Sequence, residues 1–323
     1  MKKQINFIES NDPVIDNAIV TKYINCTKHA ALDFLNYHGI EQKLQYIISP
    51  LEFHYECEQE MNMEHLFDTS NINETNGIRI IREFFSDYKE LFAHCKNAIM
   101  NESPLLMWTE WYFVKDTRFY KKMRRDPHNT LIVGFDDEDE KICISDRWLE
   151  AAGTFEDTTR WVSSTVLQEA IESTQGNSFI QSFQLKEKTV LKNGEELKKE
   201  MLEKSIHNMT GSGMGIEKML CFAKDLKTGF LKDEAGIKPY AKTIGSQLFR
   251  DYVGSRYLWS VYVAQLNEDE QIQEGLMNQA IAWWKIIAVL WSKQPSIYET
   301  ACMIQVFAEN EKRLLSLVSE RYC

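Results

Sequence analysis

The chain has no long apolar run. No stretch of its 323 residues reaches the length of a membrane span, and the opening Met1-Lys2-Lys3-Gln4-Ile5-Asn6-Phe7-Ile8-Glu9-Ser10 has no apolar h-region. The expectation is a cytoplasmic protein with no membrane partner. Cysteines are few, odd in number at seven, and scattered without paired spacing, which argues against a disulfide framework. Internal repeats and low-complexity tracts are absent, so a solenoid or array is excluded. Basic charge is short as well, with 37 Lys and Arg against 48 Asp and Glu. The net charge of −11 disfavours nucleic acid and suits cationic small molecules such as polyamines only weakly.

What is present points to two domains, because the length exceeds the usual single core. A charged, glycine-containing passage over 184–200, with Gln184-Leu185-Lys186-Glu187-Lys188 and Lys192-Asn193-Gly194-Glu195-Glu196, marks the boundary. Residues 1–185 mix short apolar strands with helices. Residues 186–323 read as all-α, since 218–227, 246–265, 273–291 and 296–321 each repeat apolar residues at three and four spacing. The aromatics Tyr252, Tyr257, Trp259, Tyr262, Trp283, Trp284 and Trp291 on these stretches are expected in the core rather than around a ligand.

The chemistry gathers around Cys26. It heads the amphipathic stretch Asn25-Cys26-Thr27-Lys28-His29-Ala30-Ala31-Leu32-Asp33-Phe34-Leu35, where Ala30, Ala31, Phe34 and Leu35 recur at helical spacing with polar Lys28, Asp33 and Asn36 between them. Gly39 supplies a C-terminal stop. A thiol attacks only as thiolate, and a helix N-terminus beside an imidazolium stabilises that charge. Further on, Leu131 to Phe135 and Lys141 to Ser145 flank the acidic turn Asp136-Asp137-Glu138-Asp139-Glu140 and predict a β-hairpin. Pairing about that turn brings His128 nearly opposite Asp146. The imidazole can then take the Cys26 proton while Asp146 fixes its tautomer, with Asn129 or Asp136 as substitutes for that acid. A lone helical cysteine or strand-start histidine is more often packing. The ordered set of three, in matching elements, points to nucleophilic catalysis.

That order is also the chain order of the papain-like fold. The N-terminal half resembles the papain-like, peptidase C39-like cysteine acyltransferases of the butirosin-biosynthesis type: Cys26 begins a helix ending in Tyr37-His38-Gly39-Ile40, and apolar Ser103-Pro104-Leu105-Leu106-Met107-Trp108 precedes the histidine. His128 with Gly134-Phe135-Asp136 is similar to the family's "H-x-x-x-V-x-G-Y/F-D" pattern, and Asp146 matches its acid. Gly211-Ser212-Gly213-Met214-Gly215-Ile216 and Gly245-Ser246-Gln247-Leu248-Phe249-Arg250-Asp251-Tyr252 are similar to its helical second domain. The resemblance implies an α+β fold, a papain-like cysteine-nucleophile domain followed by an all-α domain. It implies transfer of an acyl group from the phosphopantetheine thioester of an acyl or peptidyl carrier protein, through Cys26, to an amine, making an amide in antibiotic biosynthesis. A related papain-like amide synthetase of polythioamide assembly joins carrier-bound acyl chains to a diamine. No cofactor beyond the carrier's phosphopantetheine is implied.

Two features depart from the pattern. Val20-Thr21-Lys22-Tyr23-Ile24 has no glutamine ahead of the cysteine, which leaves backbone N–H groups at the helix start, with Asn25 or Thr27, as oxyanion donors. Ile47-Ile48-Ser49-Pro50-Leu51-Glu52-Phe53-His54 stands where the family has a glycine-rich run. Lys115, Arg118, Lys121, Lys122, Arg124 and Arg125, opposed only by Asp116 and Asp126, crowd the passage before His128 and form a candidate docking patch for an acidic carrier and its phosphate. Weaker signals are His54, Cys57 and His65, which lack a fourth zinc ligand, and the acidic turn, which lacks the glycine and terminal glutamate of a calcium loop. Gly211 to Gly215 reads as a helix entry rather than a phosphate cradle, having no Gly-Lys-Ser/Thr ending. A cysteine peptidase or amidohydrolase of the same fold, and a noncatalytic scaffold, are the competing classes.

Overall fold

The hairpin expected about the acidic turn forms, and a sheet is built around it. The structure is a computed structural model that describes residues 1–5, 26–40, 43–53, 55, 78–85, 87–110, 112–114, 128–145, 159–173, 179–185, 194–228, 245, 248, 252–265, 269–293 and 296–322. Strands β4 (His128–Asp136) and β5 (Lys141–Ser145) pair antiparallel from Asp136 opposite Lys141 to Leu131 opposite Ser145, with a bulge between Ile132 and Gly134. With β1 (Lys2–Gln4), β2 (Ile78–Phe84), β3 (Leu105–Thr109), β6 (Thr159–Ser163) and β7 (Phe179–Leu185) they form a seven-stranded sheet of order β2-β7-β3-β4-β5-β6. Every pairing is antiparallel. One edge of β4 is shared: β3 pairs with its N-terminal half, Thr109 opposite His128, and β1 with its C-terminal half, Lys2 opposite Asp136.

Among the described residues of this unit three helices pack, α1 (Cys26–Tyr37), α3 (Tyr88–Met100) and α4 (Ser164–Ser173). The start of α3 is fixed by Asp87, whose carboxylate accepts from the N–H groups of Lys89 and Glu90 at 2.6 and 3.4 Å. Leu91, Cys95 and Ile99 of α3 and Leu167 and Ile171 of α4 share one apolar cluster with Met107, Ile132, Phe135, Ile142 and Ile144 of the sheet. The two-residue period of a strand sends Leu106, Leu131 and Cys143 to the other side, and they are buried too. A sheet buried on both sides explains why these strands read as continuous apolar runs.

By packing, the chain divides into two units, Met1–Thr21 with Cys26–Lys43 and Glu74–Thr189, and Lys22–Asn25 with Leu44–Asn73 and Val190–Cys323. The second takes in residues 44–53, which the division at residue 185 assigns to the first domain. Their contacts explain the difference. Leu51 N–H donates to Ser205 Oγ at 2.8 Å, Trp259 Nε1–H donates to the Ser49 carbonyl at 2.7 Å, and the Tyr55 hydroxyl donates to Asp225 Oδ2 at 2.7 Å. Phe53 stacks on Tyr252 and Trp283 with centroids 4.7 and 5.9 Å away.

The described elements of the second unit are all helices: α2 (Leu44–Ile47), α5 (Gly194–Thr210), α6 (Gly215–Thr228), α7 (Gly254–Gln265), α8 (Glu270–Leu290) and α9 (Ile297–Tyr322). The fold is therefore mixed α+β, and α6, α8 and α9 cover the stretches predicted as helices. Helix α5 is a correction, because it begins inside the charged passage expected as a connector. Charge hid it. Lys198, Met201, Leu202, Ser205 and Met209 make a buried stripe, while Glu195 pairs with Lys198 at 2.6 Å and Glu200 with Lys204 at 2.8 Å along the helix. Tyr252, Tyr257, Trp259, Tyr262 and Trp283 are core residues as predicted, whereas Trp291 is 43% exposed. A fully buried ion pair joins α7 to α9: Arg256 Nε and Nη2 donate to Glu311 Oε1 at 2.8 and 2.5 Å, and Nη1 donates to Ser255 Oγ at 3.0 Å. Among the described residues no helix is long and apolar enough to cross a membrane.

Candidate active site

Cys26 is the first residue of α1, as its sequence position predicts. The helix forms because Ala30, Ala31, Leu32, Phe34 and Leu35 supply a buried apolar face, and α1 packs against β4. It ends where Gly39 predicts. The Gly39 N–H donates to the Asn36 carbonyl and the Ile40 N–H to the Leu35 carbonyl, both at 3.0 Å, while Gly39 takes φ of +70°. This is the Schellman arrangement, and it needs a residue that tolerates a positive φ. Lys28 and Asp33, the polar residues between the apolar positions, are both buried, at 7% and 6% exposure. The helix is covered on more sides than its pattern implies. The first-turn N–H groups of any helix lack intrahelical partners and favour an anion, which is the environment a thiolate at Cys26 requires. Asn25 and the side chains of Cys26 and Thr27 lie outside what is described.

His128 is the first residue of β4, paired with Thr109 at the end of β3. The ladder between β4 and β5 ends with Leu131 opposite Ser145, one residue before Asp146. Past the bulge at Val133 the β5 partners lie one residue nearer His128 along β4 than they would without it. Asp146 itself lies outside the described residues. Asp136, a sequence candidate for the orienting acid, sits at the other end of β4 from His128 and is excluded by roughly 26 Å of strand. Asn129, the other substitute, is buried beside His128 and pairs in register with Trp108.

The structure adds a residue that sequence reasoning missed. Glu110 follows Thr109, the pairing partner of His128, and is buried at 2% exposure with Oε2 accepting from Ser173 Oγ at 3.1 Å. It is a buried acid at the same end of the sheet as His128 and Ser145. Its signal in the sequence was an acid directly after an apolar strand. Gly134, the glycine of the histidine motif, acquires a physical reason as well. A Cβ there would lie 2.9 Å from the Lys3 carbonyl oxygen, 3.0 Å from Cys143 Cβ and 3.1 Å from Gln4 Cα, because β1 and β5 close on it from both sides.

The acidic turn after β4 is neutralised by lysines. Lys2 pairs with Asp136 at 3.2 Å, Lys96 with Asp137 at 2.7 Å and Lys141 with Asp139 at 2.6 Å. Partial desolvation pushes the Asp136 carboxyl up, but hydrogen bonds from Lys2 and from the N–H groups of Glu138 and Asp139 outweigh it and hold it below the ordinary carboxylate range. In the glycine-rich turn between α5 and α6, Glu217 Oε2 accepts from the Gly213 N–H at 2.7 Å, so a carboxylate occupies the donor that a phosphate would need. Gly215 has φ of +36° and a Cβ there would overlap the Met209 backbone. The run is a tight helix entry. Cys221 is disulfide-bonded, whereas Cys95, Cys143 and Cys302 are free.

His54, Cys57 and His65 lie outside the described residues, as do Lys115, Arg118, Lys121, Lys122, Arg124 and Arg125. Among the described residues no group of three His, Cys, Asp or Glu could hold a metal ion. No protein-family model and no curated protein matches the chain.

Proposed function

We propose that the chain is a cysteine acyltransferase of papain-like fold that takes an acyl group from a carrier-protein thioester and passes it to an amine. One observation carries this reading: Cys26 opens α1, His128 opens β4, and α1 packs against β4 within one unit. The nucleophile is at a helix start, and the base is at the head of the strand beneath it. His128 accepts the Cys26 proton, and the thiolate attacks the thioester carbonyl. Backbone N–H groups at the helix start, with Asn25 or Thr27, hold the oxyanion. The carrier's phosphopantetheine thiol leaves with the proton from His128, and an acyl-Cys26 thioester remains. An amine or diamine then attacks this thioester, His128 takes the amine's proton, and the amide departs as Cys26 recovers its thiol. Exchange between two thioesters is nearly isoenergetic, and aminolysis competes with water when the site is dry. Asp146 orients the imidazole, and Arg118, Lys121, Lys122, Arg124 and Arg125 receive the acidic carrier. In this reading the unit that holds α1 and the sheet is catalytic and the helical unit accompanies it, acting in the cytoplasm in secondary-metabolite assembly.

Intact-mass spectrometry after mixing with an acyl-thioester donor tests the first step. An adduct lost in Cys26→Ala and kept in Cys302→Ala is expected; a persistent adduct in Cys26→Ala overturns the assignment. Release of free acid in the presence of amine, without amide, would make the protein a hydrolase. Asp146→Asn should lower turnover while leaving the thiol open to slow alkylation. If Glu110→Gln rather than Asp146→Asn has that effect, the buried acid beside β3 orients the imidazole. Charge reversal at Lys121, Lys122, Arg124 and Arg125 should slow acylation from a carrier-bound donor, with strong salt dependence, and leave a small thioester mimic nearly unaffected. Equal loss with both donors would remove the docking role.

A further inference from the structure

Three side chains in the core of the helical unit end in polar atoms that meet no hydrogen-bonding partner among the described residues: Glu311 Oε2 of α9, and Gln279 Oε1 and Trp283 Nε1 of α8. Glu311 and Trp283 are completely buried and Gln279 is 5% exposed. A buried polar atom without a partner is costly, and a carboxylate oxygen more so than a neutral one. The Arg256 guanidinium does not relieve it, because Nε and Nη2 both donate to the other oxygen, Oε1.

The helices bring these groups to one place. Ser260 Oγ of α7 donates to the Gln273 carbonyl of α8 at 3.1 Å, and Tyr252, just before α7, lies against Trp283 with ring centroids 5.6 Å apart. Those two helices therefore run antiparallel, and Arg256, midway between Ser260 and Tyr252, falls near the level of Gln279. On the other side, Arg321 Nη2 of α9 donates to Gln271 Oε1 at 2.9 Å, and a Cβ on Gly275 would lie 2.6 Å from Leu314 Cδ1. α8 and α9 are antiparallel as well. Gln279, one turn beyond Gly275, comes level with Glu311, about one turn before Leu314, and Trp283 follows one turn later on the same face of α8.

We propose that this point is a buried water site, holding one water that donates to Glu311 Oε2 and to Gln279 Oε1 and accepts from Trp283 Nε1. The pattern of donors and acceptors selects this occupant. A cation has no lone pair for the indole N–H, and Arg256 already sets a positive charge on the same carboxylate. An anion would face Glu311. A water donates twice and accepts, and buried waters typically make about three hydrogen bonds. Through it the Glu311 carboxylate of α9 is held from α8 as well as from Arg256 of α7.

A high-resolution crystal structure of the full chain tests this directly. A single density peak about 2.7–3.0 Å from both Glu311 Oε2 and Gln279 Oε1 is expected. Relaxation dispersion of water oxygen-17 provides the count in solution: Gln279→Met, which removes one acceptor and fills its space, should hold one long-lived water fewer than the wild type at unchanged circular dichroism. A Gln279 amide turned over to donate directly to Glu311 Oε2, with no density between them, overturns the proposal. So does a peak at metal–oxygen distances, about 2.0–2.6 Å, or a water count that Gln279→Met leaves unchanged.

Discussion

Gly134→Ala sets two effects of opposite sign against each other at the centre of the histidine hairpin. Glycine inside a strand is about 0.5–1 kcal/mol worse than alanine, because it loses more backbone freedom on folding. On that ground alone the substitution stabilises. The added methyl, however, meets three atoms at 2.9–3.1 Å, two of them backbone atoms of β1. Ordinary contact begins near 3.4 Å. The strand must therefore move by a few tenths of an ångström, or the β1–β4 ladder must open. Forcing a methylene-sized group into a packed site typically costs about 1–3 kcal/mol, and backbone neighbours put this case in the upper half of that range. The steric term wins, for a net loss of about 1–2 kcal/mol. Amide hydrogen exchange followed by mass spectrometry should show faster exchange in β1 and in Gly134 to Asp136, with β2 and β7 unchanged. Gly39→Ala is the control: nothing lies within 4 Å of its added Cβ, and φ of +70° alone makes it unfavourable. Its loss, about 1 kcal/mol, should come with exchange confined to the end of α1. A Gly134→Ala protein as stable as the wild type, or more stable, would refute the steric account and with it the physical reason offered for the motif glycine.

Two further perturbations follow from buried and half-buried charge. Glu311→Leu leaves the buried Arg256 guanidinium with Ser255 Oγ and the Tyr252 ring as its partners among the described residues, and should lower stability by about 3–5 kcal/mol in urea unfolding. Arg256→Met/Glu311→Leu should recover to within about 2 kcal/mol of the wild type, because no charge is stranded; a double variant no better than Glu311→Leu would show that the pair is not the reason. Asp136 has a folded pKa held below its unfolded value, so its contribution is present above the ordinary carboxylate range and is lost as pH falls through the lowered value. The stability gap between wild type and Asp136→Asn should therefore shrink on acidification, and Lys2→Met should narrow it already at neutral pH. A gap constant from neutral to strongly acid pH would exclude that carboxylate as the titrating group.

Elements whose information is local were legible in the sequence. The β4–β5 hairpin announces itself through two apolar runs about five acids, and α1 through a periodic face closed by Gly39. What depended on distant partners was not. β2 and β7 pair across about a hundred residues, and neither strand carries a mark of the other. Residues 44–53 look like part of the first domain until Phe53 is seen against Tyr252 and Trp283. α5 failed for a different reason. Its charges satisfy one another at three and four spacing, so a helix with a narrow buried stripe has the composition of a linker.

The candidate site divides along the same line. Order and element type placed Cys26 at a helix start and His128 at a strand start, because both follow from patterns a few residues long. Which residues lie across from His128 depends on register, and the single bulged residue at Val133 shifts the β4–β5 register by one. Register also decides between acids. Asp136 looked close to the histidine in sequence and is a strand's length away, whereas Glu110, eighteen positions earlier, closes the strand that pairs with His128. In an antiparallel sheet the residues nearest a strand's first position are the last residues of its neighbours. For β4 those are Thr109 of β3, directly opposite His128, and Ser145 of β5, opposite Leu131, and the buried acid Glu110 directly follows the first of them.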